Sequence, residues 1–258
     1  MNLIRMASVL LLVAVGISHS SRAFGFQAEG ITKTNFASFA AGVPGKGTNI
    51  KRYLIPDFDV IGCDKLVVTV ASEIGTPFEI NVKFSGSKLK KLVETKGTTT
   101  AGIYYLDNPS KSARQGDILV FYTKGGKEKL KPNGVAIHAV ALSGTKPGFA
   151  GSASGKVGEP IVDLQVSNNH SYVIAAAASD DLKKVATNSE KYIVTTDAPF
   201  AEVGNFNGLG NEIGSALAAT AEVLDCPAEK ITARFLGLSN RRNRETVVVA
   251  AFAPADNK

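Results

Sequence analysis

Three histidines, two cysteines and 23 acidic residues are what this chain offers for acid–base, nucleophilic or metal chemistry. His19 falls within an apolar N-terminal segment, which leaves His138 and His170. His138 sits in Val135-Ala136-Ile137-His138-Ala139-Val140, where an imidazole held in a core or on a sheet face is the expected reading. A general base needs a positioned partner, and none stands nearby in sequence. His170 follows Asn168-Asn169 and reads as a turn residue. Neither histidine has the spacing of a zinc site. Ser154, in Gly151-Ser152-Ala153-Ser154-Gly155, lacks the glycine two residues before it that a nucleophile elbow requires. The run Gly204-Asn205-Phe206-Asn207-Gly208-Leu209-Gly210 lacks the Gly-Lys-Ser/Thr end of a phosphate loop. No regularly spaced oxygen ligands suggest a calcium loop. The expectation is therefore no cofactor, no metal and no catalytic residue.

One enzymatic alternative survives. Two carboxylates across a cleft can hydrolyse glycosides, and Asp180, Asp181, Glu159, Asp163, Glu190, Asp197, Glu202 and Glu212 are scattered through the second half. Sequence places no two of them together. Binding is better supplied with residues. Lys88, Lys90 and Lys91 form one basic cluster, Lys124, Lys127, Lys129 and Lys131 a second, and Arg241, Arg242 and Arg244 a third. Converging in space, the first and third would hold an acidic polysaccharide through charge-assisted contacts. Such runs also serve as solvated surface. Trp is absent, so stacking on a sugar ring would fall to the six tyrosines or to Phe. Tyr104 and Tyr105 point to opposite faces of a strand, so at most one is expected to be exposed.

The first 23 residues fix the expected compartment. Arg5 precedes the apolar run from Ala7 to Ile17, and Ser21-Arg22-Ala23 supplies small residues for cleavage after Ala23. This is the pattern of a secretory signal peptide, and the apolar run is shorter than the ~20 residues of a membrane-spanning helix. Cleavage removes two arginines and no acid, so the net charge falls from +6 to +4. That mild excess argues against nucleic acid. The expected product is exported, periplasmic or extracellular, and meets a polysaccharide or an envelope protein. Cys63 and Cys226 would then face an oxidising environment, where a disulfide between them and two separate buried thiols both stay open.

Positioning falls to β-structure. Phe78, Ile80, Val82 and Phe84 alternate with polar residues, the period of a half-buried strand. Further strands are expected at 65–70, 102–106, 117–123, 134–142, 161–166, 171–178, 192–196, 231–236 and 246–252, divided by breaks such as Asp107-Asn108-Pro109 and Lys124-Gly125-Gly126. The nearly unbroken apolar runs 134–142 and 246–252 suit strands covered on both faces. Residues 24–58 are expected as a lead-in or edge strand, and 59–254 as one sandwich domain. No repeat of fixed period is visible. Asp107 is expected to cap the turn that follows it.

The ordered segments Val82-Lys83-Phe84-Ser85-Gly86-Ser87, Gly102-Ile103-Tyr104-Tyr105-Leu106-Asp107-Asn108-Pro109, Gly116-Asp117-Ile118-Leu119-Val120-Phe121 and Val140-Ala141-Leu142-Ser143-Gly144 resemble a β-sandwich module common in exported bacterial proteins. Tyr104 stands where many members of that group carry Trp. The resemblance spans about residues 60 to 253 and implies fold and compartment, not an activity. It also bears on residues 211–224, where helical spacing of Ile213, Leu217, Ala221 and Leu224 competes with a period of two, and tips them toward a strand. The fold class expected is all-β, an antiparallel two-sheet β-sandwich of jelly-roll type with at most one short helix.

Overall fold

The structure, a computed structural model, describes residues 30–42, 52–73, 78–97, 99–128, 134–155, 161–179, 193–195, 201–205, 217–236 and 245–256. The expected signal peptide and the Arg241, Arg242 and Arg244 cluster lie outside them.

The expected antiparallel sandwich is present, and present twice. The first half contributes β1 (Thr32–Gly42), β2 (Arg52–Asp59), β3 (Lys65–Glu73), β4 (Glu79–Phe84), β5 (Ser87–Lys88), β6 (Lys90–Lys96), β7 (Thr100–Asp107), β8 (Gln115–Lys124), β9 (Lys127–Glu128) and β10 (Gly134–Ser143). The second contributes β11 (Gly151–Ser154), β12 (Ile161–Gln165), β13 (Ser171–Ser179), β14 (Ile193–Thr195), β15 (Ala201–Asn205), β16 (Leu217–Cys226), β17 (Lys230–Leu236) and β18 (Glu245–Phe252). The only helical turn among the described residues is the 3-10 turn Pro109–Lys111. Of the ambiguous residues 211–224, those from Leu217 on lie in a strand, Leu217–Cys226, the reading toward which the resemblance tipped them, and 211–216 lie outside the described residues.

Four sheets stack in layers. Sheet I has the order β2-β8-β4-β5, with β9 paired to β8, and sheet II the order β1-β10-β3-β7-β6. Sheet III runs β11-β18-β13-β16-β15 and sheet IV β12-β17-β14. Replacing β1, β10, β3, β7 and β6 by β11, β18, β13, β16 and β15 turns sheet II into sheet III. The same substitution turns β2-β8-β4 into β12-β17-β14. Each half is thus a jelly roll of the same winding, and the repeat absent from the sequence exists in topology.

Three cores hold the layers together. Tyr53, Ile55, Phe58, Val82, Phe84, Val120, Leu66, Val68 and Ile137 fill the space between sheets I and II. Val67, Ile103, Tyr105, Val140 and Leu142 of sheet II meet Tyr172, Ile174, Ala176, Val248, Ala250 and Phe252 of sheet III. Val173, Ala175, Ala177, Val247 and Val249 meet Val162, Leu164, Val166, Ile231 and Ala233 of sheet IV. Sheets II and III are therefore covered on both faces. This is why β10 and β18 read as continuous apolar runs instead of alternating ones.

The II–III seam is close to two-fold symmetric. β3 packs on its own counterpart β13; β7 packs on β18 as β10 packs on β16; and β7 packs on β13 as β3 packs on β16. That reciprocity is the mark of an isologous contact, here made within one chain. The edge strand β6, which also lies against β18 and β11, has no such reciprocal among the described contacts.

The chain crosses between halves once, along 144–150, and this crossing is pinned. Asp64 Oδ2 accepts N–H bonds from Gly144 at 2.7 Å and Thr145 at 3.3 Å. Asp107 accepts the Gly148 N–H at 3.1 Å and also pairs with the buried ammonium of Lys65. Asp107 therefore does not cap the turn after it, a correction to the expectation. That turn is entered by Asn108 in the left-handed region, at φ 49°, and closed by the Lys111 N–H on the Asn108 carbonyl.

Candidate functional site

The outer face of sheet I is the surface best equipped for a ligand. Along β8, Ile118, Val120 and Tyr122 turn inward, so Asp117, Leu119, Phe121 and Thr123 turn outward. The same alternation sends Asn81 and Lys83 out from β4 and Arg52 and Leu54 out from β2. Strand pairing then sets rows across the sheet. Leu54 lies beside Leu119, Leu119 beside Lys83, and Lys83 beside Lys88. In the next row Phe121 lies between Arg52 and Asn81.

The result is a basic, partly apolar platform. The Lys83 ammonium stands 5.5 Å from the centre of the Phe121 ring. Asn81 donates to Thr123 Oγ1 at 3.0 Å, which fixes its amide beside that ring. A shallow groove of about 400 Å³ is lined by Leu54, Lys83, Ser85, Gly86, Gly116, Asp117 and Leu119. Its acidic member is committed elsewhere, since Asp117 Oδ1 accepts the Asp57 N–H at 3.1 Å. At the groove wall a Cβ on Gly116 would stand 1.8 Å from Ser85 Oγ, so any larger residue there would turn the serine hydroxyl to another rotamer.

Lys83 and Lys88 are the notable pair. Like charges directly opposed across two strands are destabilising, and among the described residues neither lysine makes an ion pair. An anion between them would remove that repulsion.

The sequence cluster Lys88, Lys90 and Lys91 does not stay together. Leu89 is buried, and its N–H bonds the Val82 carbonyl at 2.9 Å as the chain passes from sheet I to sheet II. Lys88 faces outward on sheet I. Lys90 and Lys91 open β6, and their side chains leave opposite faces of sheet II. Lys90 lies 3.8 Å from Asp107 and 5.6 Å from the Tyr105 ring centre, while Lys91 lies 3.8 Å from Glu94. Of the second cluster, Lys124 and Lys127 are opposed on β8 and β9, and Lys129 and Lys131 lie outside the described residues. Lys83, absent from the sequence-derived set, was findable from the alternation of residues 78–84.

The other residues singled out from the sequence take definite places. Cys63 and Cys226 are free thiols, because Cys63 lines the I–II core and Cys226 the III–IV core, with sheets II and III between them. Burial raises both thiol pKa values, so the thiolate is disfavoured. Tyr104 and Tyr105 do leave opposite faces, yet both are buried, because both faces of sheet II are covered. Tyr53, Tyr122 and Tyr172 are buried as well, so among the described residues exposed stacking falls to phenylalanine; Tyr192 lies outside them.

His138 lies in the II–III seam. Its Nδ1 is 2.7 Å from Ser38 Oγ, and its Nε2 is buried without a partner. Glu222 accepts from Lys33 and from the Tyr172 hydroxyl, and Thr69 and Thr220 share a bond of 3.1 Å nearby. Burial pushes the His138 pKa down to about 4, Glu222 raising it and Lys33 lowering it in smaller measure. A serine, a histidine and a glutamate thus share one seam, but with no exposed ring nitrogen the histidine cannot serve a substrate. His170 sits in a turn at φ 57°, 2.5 Å from Asp225.

Among the described residues, no group of three His, Cys, Asp or Glu could hold a metal ion, and no helix is long and apolar enough to cross a membrane. No protein-family model matches the chain, and neither does any curated protein or solved structure.

Proposed function

We propose that this protein is an exported, non-catalytic binding module whose ligand is an anionic polysaccharide held on the outer face of sheet I. The observation that carries the reading is Lys83 opposed to Lys88 without an acidic partner, beside Phe121 and the groove under Leu119. A carboxylated or sulfated sugar would set an anion between the two ammoniums and lay a ring face on the phenyl group. Arg52 and Asn81 flank that position on neighbouring strands. Affinity from such contacts is modest per site and falls with ionic strength, because exposed charges are screened beyond about 10 Å at 0.1 M salt. A long polymer compensates by rebinding along its length.

Export rests on the pattern of residues 1–23 and on the resemblance of residues 60–253 to modules of exported proteins. The alternative of a carboxylate hydrolase gains no support from the described residues. Asp163, a candidate for it, is exposed and bonded to Lys230 at 2.6 Å and Thr232 at 2.7 Å, on the outer face of sheet IV.

The test is retention on immobilised heparin and alginate at low and high salt. The wild type is expected to be retained at low salt and released by salt. The double variant Lys83→Ala and Lys88→Ala is expected to pass through, while Lys90→Ala with Lys91→Ala is retained as wild type. Retention unchanged by the first pair, or lost only with the second, refutes the assignment.

A further inference from the structure

An unpaired strand edge invites another strand, and soluble β-proteins blunt their edges with charge, proline, bulges or brevity. Among the described residues, seven of the eight sheet edges carry such a device. On β6 it is Lys90, Lys91, Glu94 and Lys96 with a bulge after Lys91. On β2 it is Arg52, Pro56 and Asp57 with a break between Ile55 and Phe58. β5, β11 and β14 have two, four and three residues. β12 is short and carries Asp163, and β15 is short and broken at Glu202.

β1 is the exception. It runs for eleven residues, and its single charge, Lys33, is turned onto the buried Glu222 instead of out along the edge. Its single register shift lies between Lys33 and Asn35, so Asn35–Gly42 pairs with β10 without interruption and holds neither charge nor proline. Two phenylalanines in this stretch are only partly buried, Phe39 against the I–II core and Phe36 against the II–III core. The edge therefore ends both cores with an aromatic ring that is partly uncovered.

We propose that β1 is an interaction edge whose occupant is β1 of a second copy of this chain, joined antiparallel into one continuous ten-stranded sheet II. The strand is complementary to itself. Pairing about Ala37 sets Phe36 opposite Ser38, Phe39 opposite Asn35 and Lys33 opposite Ala41, so no like charges meet. The two-fold axis of such a pair stands perpendicular to the sheet, so each face continues across the junction and every ring lies beside the core it already borders. Both copies then present sheet I on the same side.

The experiment is sedimentation velocity with amide hydrogen exchange on the chain from residue 24 onward, over a wide range of concentration. A monomer–dimer equilibrium is expected, with amides in Phe36–Ala41 gaining protection as concentration rises and those of β6 unchanged. Ala37→Lys places two ammoniums face to face and is expected to stay monomeric. Mixing it with Ala37→Glu is expected to restore a mixed dimer, which separates loss of pairing from loss of fold. Three results overturn the proposal: a monomer at every concentration, including one whose β1 amides are protected at every dilution because its own chain covers the edge; a dimer whose added protection falls on other strands; or failure of the charge-swapped mixture to pair.

Discussion

Replacing His138 with leucine should remove a specific slice of acid sensitivity. The imidazole lies in the II–III seam among Ser38, Thr69, Lys33 and Glu222, with one ring nitrogen unpartnered. Burial holds its folded pKa at about 4, against about 6.5 in an unfolded chain. The unfolded state therefore takes up a proton that the folded state refuses. Stability is complete above the unfolded value, declines as pH falls through the window from about 6.5 to about 4, and levels off below it. At pH 5 the linkage relation gives a loss of about 2 kcal/mol from this residue. Depressed carboxylates such as Asp163 also lose stability on acidification, so the informative quantity is a difference. Urea unfolding followed by far-UV circular dichroism, on wild type and His138→Leu at about pH 7 and pH 5, should show the wild type losing about 2 kcal/mol more than the variant. Proton NMR of the folded wild type should show the His138 ring still neutral at pH 5. Parallel acid losses in the two proteins, or a His138 ring that titrates near 6.5, would refute the reasoning.

Two further outcomes follow from buried charge and buried sulfur. Lys65 is enclosed by Asp107 and by the rings of Tyr105 and Phe252 at 5.3 and 5.5 Å, and burial lowers its pKa. Lys65→Met should cost about 3 kcal/mol, the low end for breaking a buried pair, because Asp107 keeps the Gly148 N–H and Lys90; Asp107→Asn, which strands the ammonium, should cost more in the same urea titrations. Both thiols should stay unreactive toward a thiol reagent in native buffer and react fully in denaturant, and non-reducing electrophoresis should show no internal bridge.

The strands were legible wherever one face or both are apolar along the whole segment, as in β3, β4, β8, β10, β13 and β18. β1 and β2 were read only as a lead-in or edge because Thr, Ala and Gly dilute the pattern of β1 and Pro56-Asp57 interrupts that of β2, although Tyr53, Ile55 and Phe58 complete the first core. The tandem winding was invisible because topology fixes which positions face inward but not which apolar residue fills them. The lysines of 88–91 read as one patch because a sequence does not reveal that the chain changes sheets at Leu89. Lys65, fully buried, lay at the start of a strand where an exposed charge is the usual reading.

The single crossing at 144–150 has a consequence for how molecules keep to themselves. Sheet II and sheet III would fit equally well if they came from different chains, so a loose crossing would let neighbouring molecules trade halves. The clasp by Asp64 and Asp107, together with the Lys146 N–H on the Ala253 carbonyl and the Ala255 N–H on the Gly144 carbonyl, shortens the tether and ties it to the tail of the second roll. Those few bonds set which roll closes on which, and a cut within the crossing would leave two polypeptides that still travel as one particle.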